Sequence, residues 1–214
     1  MFLTILYLVI LSICFLCSLI SFRLHYPLHL RVFSIFIGLS LITELVAFAL
    51  PSLTGINNNM QVYNLFRLPE FFAITWYFKQ LIPGRYVQKA ILISWIAYPI
   101  FWIWYLFIHT SLSVWSGVLA NIIGIYSIVL AVIFLYHLYQ SDNIVSVKRN
   151  AEFWIAVGIL FFEATSLPTL GVLLYATEMD NAQAIKLSMA LPVFNIIMYL
   201  IFAYAFLCRR IKLP

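Results

Sequence analysis

The stretch Phe2-Leu-Thr-Ile-Leu-Tyr-Leu-Val-Ile-Leu-Ser-Ile-Cys-Phe-Leu-Cys-Ser-Leu-Ile-Ser21 holds no charged side chain. About 20 mostly apolar residues, rising 1.5 Å each, cross the hydrocarbon of a bilayer, so this run reads as a membrane-spanning helix. No Lys or Arg precedes it, no small-residue cleavage pattern ends it, and Arg23 follows at once. It is therefore expected to be a retained first helix and not a removed signal peptide.

Six further runs of the same character follow, at residues 32–51, 62–81, 90–109, 114–139, 153–175 and 185–208. The connections between them are short and carry breakers such as Pro27, Pro83-Gly84 and the polar stretch 141–150. Composition agrees: 65% of residues are hydrophobic and 9% charged, against about 45–50% and about 25% in soluble domains. A soluble fold is excluded. The predicted class is all-α, a polytopic seven-transmembrane-helix bundle forming a single integral membrane domain over residues 1–214, with the lipid bilayer as its first partner.

Orientation follows from the cations, which are retained on the cytoplasmic side. Of the 12 Lys and Arg, all but Arg67 and Lys186 fall at one set of helix ends: Arg23, Arg31, Lys79, Arg85, Lys89, Lys148, Arg149, Arg209, Arg210 and Lys212. The N-terminus is predicted outside and the C-terminus in the cytoplasm. The net charge of +5 is thereby absorbed by topology, and no basic run remains to suggest nucleic acid.

Four ionisable residues, Glu44, Arg67, Glu70 and Glu163, lie within the apolar runs. A charge there costs from about 3 to more than about 10 kcal/mol unless partnered, which makes these residues the candidate site. Counted from the helix ends, all four fall at or outside the midplane, in a layer with Asn64, Asn121 and Asn195. Arg67 and Glu70, three residues apart, share a helix face and can pair. Three acids nonetheless oppose one Arg. They cannot all stay charged in one cavity without a cation or a donor-bearing ligand. Pro69, Pro168 and Pro192 reinforce the layer by freeing the carbonyls of Leu65, Ala164 and Ser188.

Other features read as packing. Gly117, Asn121, Gly124 and Ser127 line one face of the fifth segment and let a neighbour approach. The fourth segment, crowded with Trp95, Tyr98, Trp102 and Trp104, reads as lipid-facing and peripheral. Cys14, Cys17 and Cys208 are not placed for a structural disulfide. His25 and His29, with His137, are the one metal-like group, and Pro27 interrupts the turn that would align the first two. No metal, cofactor or catalytic residue is predicted. A short echo relates Leu68-Pro-Glu-Phe71 to Leu191-Pro-Val-Phe194 and 38–44 to 158–163, which points to parallel repeats joined by the fourth segment.

Retinal proteins place a Lys midway along the seventh helix, where this chain has Asn195, and PQ-loop sugar carriers need Pro in segments that have none. Ceramidase-like hydrolases need membrane Asp and His, whereas Asp142 and Asp180 fall in loops on opposite sides. Through Asn64-Leu-Phe-Arg67-Leu-Pro-Glu70-Phe, Phe153-Trp154 with Gly158, and Asn195 with Phe206-Leu207-Cys208, the chain resembles a group of uncharacterised bacterial seven-helix proteins. More loosely it resembles the seven-helix sensor modules that accompany histidine kinases. These likenesses imply the bacterial inner membrane and a separate cytoplasmic signalling partner. The first reading is a sensor whose mid-to-outer pocket binds a small molecule or ion through Glu44, Arg67, Glu70, Glu163, Asn64, Asn121 and Asn195. A small-solute or proton-coupled transporter and a structural or assembly subunit are the alternatives.

Overall fold

The structure is a computed structural model and describes residues 2–55, 58–140, 149–175 and 189–210. Among these residues it is all-helical. Helix α1 (Phe2–Ser18) is prolonged by a turn at Ile20–Arg23, and α2 (Leu28–Thr54), α3 (Met60–Leu81) and α4 (Arg85–Trp104) follow, α4 ending in a π-turn at Tyr105–His109. Then come α5 (Gly117–Gln140), α6 (Ala151–Tyr175) and α7 (Ala190–Arg210).

The helix ends have local causes. Gly55, at φ 71°, takes the left-handed turn that closes α2. Asn150 Oδ1 accepts from Phe153 N–H at 2.9 Å and caps α6. At the end of α3, Gln88 Nε2 donates to the carbonyls of Lys79 (2.7 Å) and Ile82 (2.8 Å), which satisfies orphan acceptors and ties α3 to α4. Helix α2 runs past its expected end at Pro51 to Thr54. The missing proline N–H deprives the Ala47 carbonyl of its partner, and Asn59 Nδ2 donates there at 3.4 Å. Helix α5 begins at Gly117, not Val114, because the preceding loop is held to α3. The expected start of the last helix at residue 185 lies outside the described residues.

Six helices, α1, α2, α4, α5, α6 and α7, are long and apolar enough to cross a membrane. The chain is a multi-pass membrane protein whose apolar helix faces contact lipid. Helix α3 has 22 residues but carries Arg67, Glu70 and Lys79, and it is absent from that set. It packs between α2, α4 and α5.

Successive contacts close a ring, α1–α2–α3–α5–α6–α7 and back to α1, with α4 outside it against α3. At the basic end, flanked by Arg23, Arg31, Lys79, Arg85 and Arg149, Ser21 and Ser34 bond across α1 and α2 at 2.8 Å. There too His29 Nε2 lies 3.0 Å from Glu152 Oε1, joining the starts of α2 and α6. Above this lies an aromatic floor. Phe33 of α2 packs on Tyr77 of α3 (centroids 4.9 Å) and edge-on to Phe202 of α7 (5.2 Å), and all three are fully buried.

Helix α4 is peripheral, as expected, yet its aromatic residues divide between two roles. Trp95 Nε1 donates to Thr75 Oγ1 at 2.8 Å and Trp102 Nε1 to the Asn64 carbonyl at 3.0 Å. These two, seven residues apart, face α3, whereas Trp104 and Phe107 face outward. Replacing Trp102 by Phe is therefore expected to lower stability by about 1–2 kcal/mol in reversible unfolding from mixed micelles. Trp104→Phe should stay within about 0.5 kcal/mol of the wild type.

Candidate functional site

The ring encloses a cavity of about 400 Å³. Its lining runs from Thr4, Leu170 and Leu191, at helix ends opposite the basic end, to Phe36, Ile74 and Phe202, the last of them part of the aromatic floor. Helix α4 contributes nothing to it.

Helix α3 supplies the charged centre. Arg67 Nη1 donates to Glu70 Oε2 at 2.6 Å, the pairing expected at a separation of three residues, and both side chains are largely buried. The guanidinium also lies over the Trp115 ring, 5.3 Å from its centroid. It stands within Coulombic reach of Glu163 and Glu44. Glu44 of α2 accepts from Tyr63 Oη at 3.0 Å, and Tyr7 of α1 approaches the same carboxylate.

Glu163 of α6 is different. The residue is 8% exposed and lines the cavity, yet its carboxyl has no ion pair among the described residues. Ser166 Oγ lies 3.5 Å from the Glu163 main-chain carbonyl and is also within reach of the carboxyl. Room for that carboxyl is made by Gly124 of α5, where a Cβ would stand 2.7 Å from Glu163 Oε2. Asn195 of α7 also lines the cavity while its Nδ2 donates back to the Leu191 carbonyl at 3.1 Å.

Five of the seven expected residues, Glu44, Arg67, Glu70, Glu163 and Asn195, thus come together in one cavity. Asn64 and Asn121 do not line it. Asn64 is buried, and its Nδ2 donates to the carbonyls of Leu112 and Val114, both at 2.8 Å. With Asn58 Nδ2 donating to the Ser113 carbonyl at 2.8 Å, this latches the α4–α5 loop onto α3 and sets Trp115 over Arg67. Asn64 is a positioning residue. Asn121 Oδ1 is buried with no hydrogen-bond partner among the described residues. The metal-like His29 is engaged with Glu152, away from the cavity. Pro69 and Pro168 interrupt their helices internally, whereas Pro192 falls in the first turn of α7, where a missing N–H costs little.

Sequence reasoning missed Tyr7, Tyr63, Trp115 and the role of Gly124. Tyr63 was within reach, since 63, 67 and 70 recur at helical spacing along one face of α3. Trp115 carries no such signal, because only the Asn64 latch brings its loop to the site.

Comparisons with protein-family models, with curated proteins and with solved structures find no match to this chain.

The Gly124 notch makes a prediction by contrast. Gly171, in α6, has nothing within 4 Å of an added Cβ among the described residues. Gly171→Ala should raise stability by up to about 1 kcal/mol through helix propensity. Gly124→Ala should show no gain, because its Cβ displaces the Glu163 carboxyl and presses on Leu167. Equal stabilisation of both variants in detergent unfolding would contradict the contact.

Proposed function

We propose that this protein is a receptor-like seven-helix membrane module that binds a small ligand or ion in the cavity and signals to a cytoplasmic partner. The observation that carries this reading is a largely apolar cavity with charged and polar side chains set into its lining, over a closed floor. Glu44, Arg67, Glu70, Glu163 and Asn195 line it, while Phe33, Tyr77 and Phe202 fill the bundle between it and the basic end. A receptor needs a pocket reached from one side, whereas a carrier needs a path to both. Helix α3, enclosed by α2, α4 and α5, serves as the seventh span, its charges turned to the cavity and to Trp115 and not to lipid. The cations at one end support a cytoplasmic basic end with the N-terminus outside. The likeness to bacterial seven-helix proteins and kinase-associated sensors supports the bacterial inner membrane and a separate output partner.

One observation favours a transporter as the second reading. The contact ring maps onto itself when α1, α2 and α3 are exchanged for α5, α6 and α7, with α4 outside, as two parallel repeats would require. The glycines of the sequence echo do not follow that exchange. A Cβ on Gly38 would meet Phe15 of α1, whereas one on Gly158 would meet Phe202 of α7 and not α5.

Protein reconstituted in vesicles is expected to show no proton or solute flux. In cells lacking the gene, wild-type protein should restore the transcript profile, and Arg67→Ala and Glu163→Gln should not. Flux that disappears in those variants would favour the transporter instead. For topology, in a cysteine-free background a cysteine at Ser113 should react with an impermeant maleimide in intact cells, and one at Gln80 only after permeabilisation.

A further inference from the structure

We infer that the cavity takes a small organic cation, an ammonium group on an apolar body, seated against the Glu163 carboxylate. This deepens the receptor reading and rests on it.

The three acids are not equivalent. Glu70 has the Arg67 guanidinium at 2.6 Å, and Glu44 has the Tyr63 hydroxyl at 3.0 Å. Glu163, more than nine-tenths buried and facing the cavity, has only the Ser166 hydroxyl within reach and no cation at ion-pair distance among the described residues. Arg67 does not fill that role at hydrogen-bonding range, because it is turned to Glu70 and covered by Trp115. A buried carboxyl left in this state is costly unless something positive or donor-bearing meets it. The notch at Gly124 holds the carboxyl where it is, so the complement must come from the cavity side.

The shape and lining decide which cation. A divalent metal ion asks for six or more converging oxygens. No group of three or more His, Cys, Asp or Glu among the described residues is gathered closely enough to hold one. A volume of about 400 Å³ far exceeds a bare ion and lies within the range of small-molecule pockets, about 300–1,000 Å³. The cavity walls are largely aromatic and aliphatic, with Phe36 and Phe66 stacked at 6.0 Å and Tyr63, Tyr199 and Phe162 also lining it. Such walls suit an apolar body and the faces of its cation.

The test uses the full chain in nanodiscs and four probes: n-butylammonium, tetramethylammonium, 1-butanol and butyrate, with sodium and magnesium chloride as ionic controls. Calorimetric titration should show binding of one or both ammonium ions, with 1-butanol at least about tenfold weaker and no binding of butyrate. Glu163→Gln should weaken ammonium binding by about tenfold or more, the cost of losing the partner of a desolvated charge. Glu152→Gln, at the basic end, should leave it unchanged. If Glu163→Gln fails to fold, the selectivity of the wild type among the probes still decides. Equal binding of 1-butanol and butylammonium, binding of neither ammonium, or matching heats from the inorganic salts would overturn the cation assignment. Binding of butyrate alone would overturn it and leave the receptor reading standing. Ammonium binding in a protein whose cellular readout ignores the variants would remove the receptor reading and keep the cation site.

Discussion

A guanidinium buried in an apolar helical bundle must be matched, and the placement of Arg67 organises the rest of the molecule around that demand. Glu70, one turn on, supplies the counter-charge at 2.6 Å. Trp115 covers the guanidinium, but it belongs to a loop, and loops at membrane depth are tolerated only where protein satisfies their backbone. Asn64 does so by donating to Leu112 and Val114. The loop being tied to α3, the helix that feeds it is pinned there as well, through Trp95 and Trp102. That is why α4 lies outside the ring and α5, not α4, completes it beside α3. One buried charge thus accounts for the latch, the peripheral helix and the ring order.

The cavity is the complement of that arrangement. Deleting packed volume in a protein costs about 24 cal/mol per Å³ of residual void. At that rate a dry gap of about 400 Å³ would cost on the order of 10 kcal/mol. No bundle held chiefly by van der Waals packing would keep such a gap for structural reasons. Its lining explains its persistence, since carboxyls and hydroxyls project into it and are better met by water or a ligand than by a neighbouring helix. Below it the opposite holds. Phe33, Tyr77 and Phe202 carry no unmatched charge, so they pack to full burial and close the bundle.

Much of this was legible in the chain. Apolar runs of bilayer length marked every described helix, and the charged and amide side chains within them named Glu44, Arg67, Glu70, Glu163 and Asn195, because a charge or an amide in such a run has few places to go. What escaped was set by tertiary neighbours. Asn64 and Arg67 share a helix face, yet one reaches a loop and the other the cavity, and nothing in their spacing distinguishes the two. Gly124 read as a packing glycine, which it is, but the group packed against it is a carboxylate. The hydrogen bonds that pin α4 were hidden because Trp is common both at lipid-facing surfaces and at helix contacts.

The position of Glu163 says how occupation of the cavity would be felt elsewhere. On its own helix, one turn and a little more toward the basic end, lies Gly158, whose missing side chain admits the ring of Phe202. Phe202 meets Phe33, Phe33 meets Tyr77, and Tyr77 packs at 6.0 Å on His29, which pairs with Glu152 at the start of α6. A contiguous set of aromatic contacts therefore leads from Gly158, on the helix that carries Glu163, to the basic end and returns to that helix. Contact alone is not coupling, which needs an element with two discrete arrangements. Helix α6 has the makings of one: it is broken internally at Pro168, holds Glu163 near its middle and ends at the Glu152 pair. A cation drawing the carboxyl out of the Gly124 notch would load α6 between its proline and that pair. The rings packed against Gly158 would have to shift with it or resist, since close-packed interiors rearrange between discrete states and do not stretch.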